Sequence, residues 1–412
     1  MNDREFDLVV FGATGFTGRL VAEAMARHGG GEGLRWALAG RSLARLKALA
    51  AELALPEGQP LIEADAADAP ALRRLAARTR AVITTVGPYQ LGGEPLLQAC
   101  IAEGTHYLDL CGEPAWMAAM IRRHDAEARA RGARIVFSCG FDSVPFDLGV
   151  LALQQLAQSR TGQPLAEVQS RVLVMKGGFS GGTAASLLAT LEAVSRDPQA
   201  ARDMADPFAL VPGFRGPPQP APSAAAFDDF LGQWSAPFVM APINTRNVHR
   251  THALLGHPWG EGFVYGERMA CGGGTEGELR ARGLVRQDRL QNWVLGLAPG
   301  RALLRRFALP KPGEGPGPAA REAGRYEHLA SGGGADGRRH GLRVIGRRDP
   351  GYGATSRVIV ACARTLLAQP ARPGGLLTPG AALGLDALPE LARLAELRFV
   401  PEPLAGPGGL GQ

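Results

Sequence analysis

Three glycines near the start of the chain, in the run Gly12-Ala-Thr-Gly15-Phe-Thr-Gly18, have the spacing of a dinucleotide-binding turn. The run follows the apolar segment FDLVVF (6–11) and precedes a helical pattern over 19–27. Glycine has no Cβ atom, so the backbone can turn tightly and approach a pyrophosphate. The N-terminus of the next helix offers free N–H groups and a partial positive charge to the phosphates. We therefore predict a cofactor site that includes Gly12, Thr14, Gly15, Phe16, Thr17 and Gly18.

The residues after the second predicted strand (36–39) indicate which nicotinamide cofactor binds. NAD sites place an acid there to accept from the ribose hydroxyls, whereas NADP sites place an arginine against the 2′-phosphate. This chain has Arg41 and Ser42 at that position and no acid. We therefore predict NADP, with a solvated charge as the alternative for Arg41. Asp65, after the third strand, could accept from the adenine amino group or cap a helix.

The run TTVGPY (84–89) ends the fourth predicted strand, at the sheet edge where cofactor and substrate meet in a dinucleotide-binding fold. Its Gly-Pro pair predicts a rigid turn, and we assign four of its residues to the cofactor: Thr85, Val86, Gly87 and Pro88. Tyr89 is our first candidate for a proton or hydrogen-bond donor to the substrate. Asp142, after the sixth strand, is a second candidate beside the nicotinamide. Alternatively, Tyr89 packs the loop and Asp142 caps a helix.

Two other patterns leave different chemistry open. Gly178-Phe-Ser180-Gly-Gly182 matches the nucleophile elbow of serine hydrolases, or else forms a Gly-rich turn with Thr183 as a helix cap. His249, His252 and His257 could bind a metal. No carboxylate lies at an obvious ligand spacing from them, so we interpret them as loop histidines and predict no metal site.

The composition excludes several classes of protein. In 412 residues, 45 lysines and arginines and 39 acids give a net charge of +6 with no basic block, so we predict no nucleic-acid partner. No apolar run approaches the ~18 residues of a membrane span. The five cysteines are widely spaced without a C-x-x-C pair, which argues against disulfides and a zinc site. A cytoplasmic protein is expected.

Short strands alternate with helices over the first 150 residues, which predicts parallel pairing with right-handed crossovers. We expect the α/β class: a doubly wound Rossmann sheet, a second mixed α/β domain and C-terminal helices that pack back. The predicted boundaries are 1–158 for the NADP-binding domain, 159–350 for the substrate domain and 351–412 for the C-terminal helices. Beyond 158 we predict strands at 168–176, 238–241, 263–270 and 343–346, and helices at 184–194, 354–367 and 389–397.

Short runs along nearly the whole chain resemble the saccharopine dehydrogenase-like oxidoreductases, and within them the trans-acting enoyl reductase branch. The runs are GATGFTG (12–18), AGRS (39–42), TTVGPY (84–89), YLDLCGE (107–113), SCGFDSVPFDLG (138–149), SGGTAAS (180–186), PGEGPGP (312–318), DPGYGATS (349–356) and GGLLTPGAALG (374–384). The resemblance implies an NADP-binding Rossmann domain, with Cys111 and Gly112 at the cofactor, and a second domain that closes over the nicotinamide.

The resemblance also implies a reaction. Enoyl reductases of this branch reduce a carbon–carbon double bond of a long polyketide-derived lipid. On this hypothesis Tyr89 or Asp142 supplies the proton, and Ser180 and Thr183 contact the substrate or its oxyanion. The alternatives are an NADP-binding sensor or scaffold without turnover, and a serine hydrolase that uses Ser180. A small-molecule or lipid substrate is expected. The stretch 290–309 could contact lipid at a membrane surface, but a buried helix with an arginine cap is the favoured interpretation, and a homodimer stays open.

Overall fold

The computed structural model describes residues 4–178, 181–296, 314–370 and 372–403. Its first sheet has seven parallel strands: β1 (Phe6–Phe11), β2 (Trp36–Gly40), β3 (Leu61–Glu63), β4 (Thr79–Thr84), β5 (His106–Leu108), β6 (Arg134–Val136) and β13 (Gly375–Leu377). Their order across the sheet is β13-β6-β5-β4-β1-β2-β3. Every residue of β1 is buried, as expected for a parallel strand that is covered on both faces. The predicted doubly wound α/β sheet is confirmed.

Seven α-helices follow β1 in the chain before the first strand of the second sheet. They are α1 (Phe16–Arg27), α2 (Leu43–Glu52), α3 (Ala69–Ala77), α4 (Tyr89–Gly92), α5 (Glu94–Ala102), α6 (Pro114–Arg131) and α7 (Val144–Thr161). The sequence patterns predicted most of these elements within two residues. The sequence predicts the fourth strand at 81–86, but β4 begins two residues earlier, at Thr79, because its first residues complete the ladder with β1.

The second sheet is mixed and also has seven strands: β7 (Glu167–Lys176), β8 (Ala226–Asp228), β9 (Gln233–Pro237), β10 (Val264–Gly272), β11 (Arg325–Gly333), β12 (Arg339–Arg347) and β14 (Arg398–Glu402). Their order is β14-β12-β11-β7-β10-β9-β8, and only β7 and β10 pair in parallel. The predicted strand at 238–241 is wrong, because β9 ends at Pro237 and a helix begins at Ala241.

Eight further helices lie in the described part of the chain after β7. They are α8 (Gly181–Arg196), α9 (Pro198–Ala205), α10 (Ala241–Leu254), α11 (Gly274–Gly296), α12 (Pro318–Glu322), α13 (Thr355–Ala368), α14 (Pro379–Leu383) and α15 (Leu388–Ala395). Helix α13 packs on α1 and β4, so this C-terminal helix returns to the first sheet. The segment after 350 also adds β13 to the first sheet and β14 to the second. The exact domain boundaries stay a prediction.

None of the helices that the structure describes combines the length and the apolarity that a bilayer span requires.

Candidate functional site

The strand order brings the predicted site residues to one edge of the first sheet. β1 pairs with β2 on one side and with β4 on the other, so the chain reverses direction across the sheet at β1. In open α/β sheets, ligands bind beyond the carboxyl ends of the strands at such a switch point. The loops that follow β1, β2, β4, β5 and β6 all leave the sheet at this edge. The candidate site is therefore the crevice that they border.

The glycine turn after β1 has the close packing that its sequence requires. Gly12 has a φ of +82°, and its N–H donates to the Ala39 carbonyl at 2.9 Å. A Cβ on Gly12 would lie 2.6 Å from Val86 Cγ2, and a Cβ on Gly18 would lie 2.8 Å from Thr85 Oγ1. The turn therefore packs directly on the loop after β4. Only glycine fits at both positions.

Helix α1 begins at Phe16, and no side chain caps its N-terminus at Gly15. Its first turn contains no acid, so the first N–H groups of the helix and its positive dipole end face the crevice without a competing anion. A diphosphate is the ligand chemistry that matches such a helix end. Thr14 and Thr17 stand on either side of this terminus. These residues fit the pyrophosphate of a dinucleotide.

The residues after β2 occupy the position at which dinucleotide-binding folds contact the adenine ribose. Arg41 is exposed, so its guanidinium is free to meet a phosphate. The Ser42 side chain accepts from the Arg45 N–H at 3.4 Å and caps α2, while the Arg45 guanidinium donates to the Thr14 carbonyl at 3.3 Å. Two arginines thus border this end of the crevice.

Asp65 does not cap a helix. Its carboxylate accepts from the Ala67 N–H at 2.9 Å within a turn, and Asp68 caps α3 instead. The predicted contact of Asp65 with the adenine stays a prediction.

Tyr89 is held by the backbone of two loops. It is 5% exposed, and its hydroxyl donates to the Thr84 carbonyl at 3.2 Å and accepts from the Leu110 N–H at 3.1 Å. Its ring packs on Trp116 with centroids 5.8 Å apart. Burial raises the pKa of Tyr89 well above its ordinary value. This geometry favours the alternative in which Tyr89 ties the loop after β4 to the loop after β5.

The loop after β5 presents backbone to the crevice. Cys111 is buried; its N–H donates to the Asp109 carboxylate at 3.0 Å, and its carbonyl accepts from the Ser138 hydroxyl at 2.6 Å. At Gly112, by contrast, an added Cβ would meet no atom within 4 Å. Gly112 therefore faces open space, which is compatible with a ligand.

Asp142 lies in the loop between β6 and α7, six residues after the end of β6. Its Oδ1 atom is buried without a hydrogen-bond partner, and burial raises the pKa of its carboxyl to about 7. A carboxyl with this pKa holds its proton in a large fraction of molecules near neutral pH. The structure therefore places a buried carboxyl of raised pKa at the sheet edge, where the sequence predicts the nicotinamide.

Helix α10 brings two amide side chains to Ser143, the neighbour of Asp142, and to Glu267. Asn247 donates to the Ser143 hydroxyl at 2.8 Å, and Asn244, one helical turn earlier, donates to the Glu267 carboxyl at 3.0 Å. Glu267 also accepts from the Tyr265 hydroxyl at 2.8 Å. Burial raises the pKa of Glu267 to about 8, although the hydrogen bonds from Asn244 and Tyr265 lower it; the nearby Asp142 charge makes a smaller contribution to the rise. No local sequence pattern marks this cluster, because its members come from three separate segments of the chain.

The Glu267 carboxyl predicts a specific pH dependence of stability. Its pKa is about 8 when folded and about 4.3 when unfolded. The folded chain therefore binds the proton more tightly, so this group stabilises the fold below pH 4 and the contribution is lost as the pH rises to 8. Glu267→Gln removes that loss. We expect the free energy of unfolding of this variant, relative to wild type, to rise by about 1 kcal/mol per pH unit between pH 5 and 8.

Urea titrations at pH 5, 6, 7 and 8 measure this difference. Parallel pH profiles for wild type and Glu267→Gln would show that Glu267 is ionised in the folded protein.

The later sequence motifs gather over the glycine turn. The Asp349 carboxylate accepts from the N–H groups of Gly178 at 2.9 Å and Tyr352 at 2.8 Å. The Tyr352 ring meets the Phe16 ring edge-on at 5.2 Å, and Gly315 is so close to Phe16 that a Cβ would overlap that ring. Phe16 is therefore covered by segments beyond the first domain. The runs at 312–318 and 349–356 were recognised in the sequence, but the sequence did not predict that both contact Phe16.

Two predicted substrate residues cannot be placed. Ser180 lies outside the described residues, and although Thr183 belongs to α8, its side chain is not described. Their roles, including the hydrolase alternative for Ser180, stay predictions.

The histidines at 249, 252 and 257 belong to an aromatic cluster. His249 and His252 lie on α10, so their interpretation as loop residues is wrong. The His252 ring stacks on Trp259 at 4.7 Å and meets the His257 ring at 4.9 Å. Burial lowers the pKa of His249 to about 3 and of His252 to about 4. Within the described ranges, no group of three His, Cys, Asp or Glu side chains could hold a metal.

Comparison with known protein families supports the cofactor. Residues 8–136 match the model of the saccharopine dehydrogenase NADP binding domain. The matched range contains the glycine turn, Arg41 and the loops after β4 and β5. NADP is thus the cofactor that both the geometry and the family model indicate.

Comparison over the full chain gives closer relatives. A Mycobacterium tuberculosis protein provisionally named as a trans-acting enoyl reductase is 42% identical over 407 residues, which cover 94% of this chain and 95% of that protein. The trans-acting enoyl reductase of Mycobacterium ulcerans is 35% identical and covers 96% and 97%. Among solved structures, saccharopine dehydrogenase (L-Glu forming) from Saccharomyces cerevisiae has a TM-score of 0.54 at 14% identity, covering 97% of this chain and 100% of that one. This last likeness concerns the fold alone.

Proposed function

Because this chain belongs to the trans-acting enoyl reductases of the saccharopine dehydrogenase-like family, we propose that it uses NADPH to reduce the carbon–carbon double bond of an enoyl substrate. The observation that carries this proposal is the full-length likeness to proteins named for that activity, in a chain whose glycine turn fits a dinucleotide. Bound NADPH supplies a hydride for the β-carbon, and the chain must then supply one proton to the α-carbon.

Asp142 is the proposed proton donor. Its carboxyl is buried at the edge of the sheet beyond β6, and burial raises its pKa to about 7, so a proton is available near neutral pH. The Tyr89 hydroxyl already donates to the Thr84 carbonyl, so its proton is engaged. We therefore assign Tyr89 to holding the cofactor loop and Asp142 to acid catalysis.

The substrate class is proposed from the family: an enoyl group on a lipid or polyketide-type chain. The test follows NADPH absorbance at 340 nm with enoyl thioesters of short and long acyl chains, and mass spectrometry detects the gain of two hydrogens. We expect oxidation of NADPH only when an enoyl substrate is present, and faster turnover for the long chain. A protein that binds NADPH but reduces neither chain would contradict the proposed activity.

Arg41 should determine the choice between NADPH and NADH. A charge-assisted hydrogen bond to a phosphate contributes about 1.5–3 kcal/mol, so Arg41→Gln should weaken NADPH binding by roughly 10- to 100-fold and leave NADH binding unchanged. Isothermal titration calorimetry with both nucleotides measures this. Arg338→Gln, in an exposed turn of the second sheet, is the matched control for loss of charge. An equal loss for both nucleotides would assign Arg41 a merely structural role.

A further inference from the structure

A buried carboxylate holds the end of the cofactor loop. Glu113 follows β5, immediately before α6, and is 2% exposed. Its Oε1 accepts from the Tyr89 N–H at 3.0 Å, and its Oε2 accepts from the Gln90 N–H at 2.8 Å. These two N–H groups open α4 directly after Gly87 and Pro88. Because both carboxylate oxygens are used, Glu113 fixes the position at which the cofactor loop ends.

The same carboxylate is also in contact with the second domain. The Ser186 hydroxyl of α8 hydrogen-bonds Glu113, and this bond lowers the pKa of Glu113 while burial raises it. One turn further along α8, the Thr190 hydroxyl accepts from the Gln90 side-chain amide at 3.2 Å. Residues four apart share a face of a helix. One face of α8 is thus hydrogen-bonded both to Glu113 and to the residue that Glu113 holds.

Helix α8 also contacts the cofactor loop itself. A Cβ on Gly87 would lie 3.8 Å from Ser186 Oγ, an ordinary van der Waals distance. Helix α8 begins within the SGGTAAS run, whose Ser180 and Thr183 are the predicted substrate contacts. Any shift of α8 against the first sheet would therefore change the distance between the predicted substrate residues and the cofactor loop.

We propose that Glu113 is a positioning residue for hydride transfer: its carboxylate binds the end of the cofactor loop and the Ser186 face of α8 together, so that the two sides of the crevice keep a fixed separation. The proposal rests on the proposed function only for its kinetic consequence. Glu113 does not itself touch the reacting atoms. A displacement of about 1 Å between reacting groups lowers rates by up to about 100-fold, so the carboxylate matters for the rate more than for cofactor affinity.

Glu113→Gln tests the arrangement at the carboxylate. A glutamine side chain has one acceptor oxygen and one NH2 group, so one of the two backbone N–H donors would face another donor. We expect kcat for enoyl reduction to fall by about 10- to 100-fold. The Kd for NADPH should stay within about threefold, because the glycine turn and Arg41 bind the phosphates.

Ser186→Ala tests the second-domain side without changing the buried charge. We expect a rise in KM for the enoyl substrate of about three- to tenfold. Ser195→Ala is the matched control on the same helix, because Ser195 is exposed and, among the residues that the structure describes, its hydroxyl bonds the Glu192 carbonyl one turn before it. In the double variant Glu113→Gln/Ser186→Ala, the decrease in kcat/KM should be smaller than the product of the two single decreases. The reason is that both substitutions break the same connection between the cofactor loop and α8.

Hydrogen exchange keeps this test independent of the activity. Faster exchange of amides in α8 and in 84–90 is expected for Glu113→Gln and Ser186→Ala, but not for Ser195→Ala. If wild type reduces no enoyl substrate but the exchange pattern is as expected, the proposed function fails and the connection stands. The proposal would be overturned if Ser186→Ala had the kinetics and the hydrogen exchange of the wild type. It would also be overturned if Glu113→Gln had an unchanged kcat.

Discussion

Replacing Asp142 by asparagine should lower kcat for enoyl reduction by about 10²- to 10³-fold, the usual effect of removing a general acid. The amide has nearly the same shape but no acidic proton. NADPH affinity should stay within about threefold, because Asp142 lies beyond β6 and away from the phosphate-binding turn. Stopped-flow measurement of NADPH oxidation with an enoyl thioester separates the chemical step from binding. A variant with more than one third of the wild-type kcat would exclude Asp142 as the proton donor.

The pH dependence of the same reaction gives a second measurement. A general acid acts in its protonated form, and burial raises the pKa of Asp142 to about 7. We therefore expect kcat to be constant below pH 6 and to fall tenfold per pH unit well above 7. The residual kcat of Asp142→Asn should not fall as the pH rises above 7.

Asp147→Asn is the matched control for these experiments. Asp147 is also buried with a pKa of about 7, but its carboxyl bonds the Gly380 N–H at 2.7 Å and Thr251. Its replacement should change stability and leave the pH profile of kcat unchanged. If Asp147→Asn, and not Asp142→Asn, abolishes the decline, the acid has been assigned to the wrong carboxyl.

The sequence predicted the first sheet well because its strands are short, apolar and separated by helices with clear periodicity. FDLVVF (6–11) is bounded by charges and by a glycine turn, and the strand matches it residue for residue. Parallel pairing then follows from the intervening helices. Since the loops after parallel strands leave the sheet at one edge, the sequence could also predict that residues 12–18, 84–89 and 138–143 lie along that edge. Local pattern and overall topology agree in this half of the chain.

The second sheet was harder because tertiary pairing, and not local preference, forms its strands. β11 contains Ala, Ser and Gly in the run RYEHLASGG, which has little strand preference. It exists because β7 and β12 pair with it on both sides. Helix α10 was missed for a related reason: most of its residues are polar, although they are buried.

The candidate site likewise contains residues that the sequence could predict and residues that it could not. Cofactor residues could be predicted because a phosphate-binding turn is continuous in sequence. Glu113, Asn247 and Glu267 could not, because each acquires its role from a partner that is 20 or more residues distant. Glu113 was visible in the YLDLCGE run, and that run was the available signal. A glutamate directly before a helix, however, is more commonly a solvated charge near the helix dipole.

Gly18→Ala should nearly abolish cofactor binding. A Cβ at this position would overlap the Gly12 carbonyl oxygen and lie 2.7 Å from its carbonyl carbon, and these backbone atoms cannot rotate away as a side chain can. The turn must therefore open, which moves the start of α1 away from the phosphates. We expect NADPH affinity to fall by more than about 100-fold and the free energy of unfolding to fall by about 1–3 kcal/mol, the usual cost of overpacking.

Two other glycines separate loss of binding from loss of stability. Gly283 lies inside α11, where an added Cβ meets no atom within 4 Å, so Gly283→Ala should stabilise the helix by up to about 1 kcal/mol and leave binding unchanged. Gly112 also faces open space, but at the edge of the crevice. Gly112→Ala should therefore keep the wild-type Tm while weakening NADPH binding, because the added methyl group occupies space that only a ligand needs. If calorimetry shows unchanged NADPH binding in both Gly18→Ala and Gly112→Ala, the cofactor does not lie across this edge of the sheet.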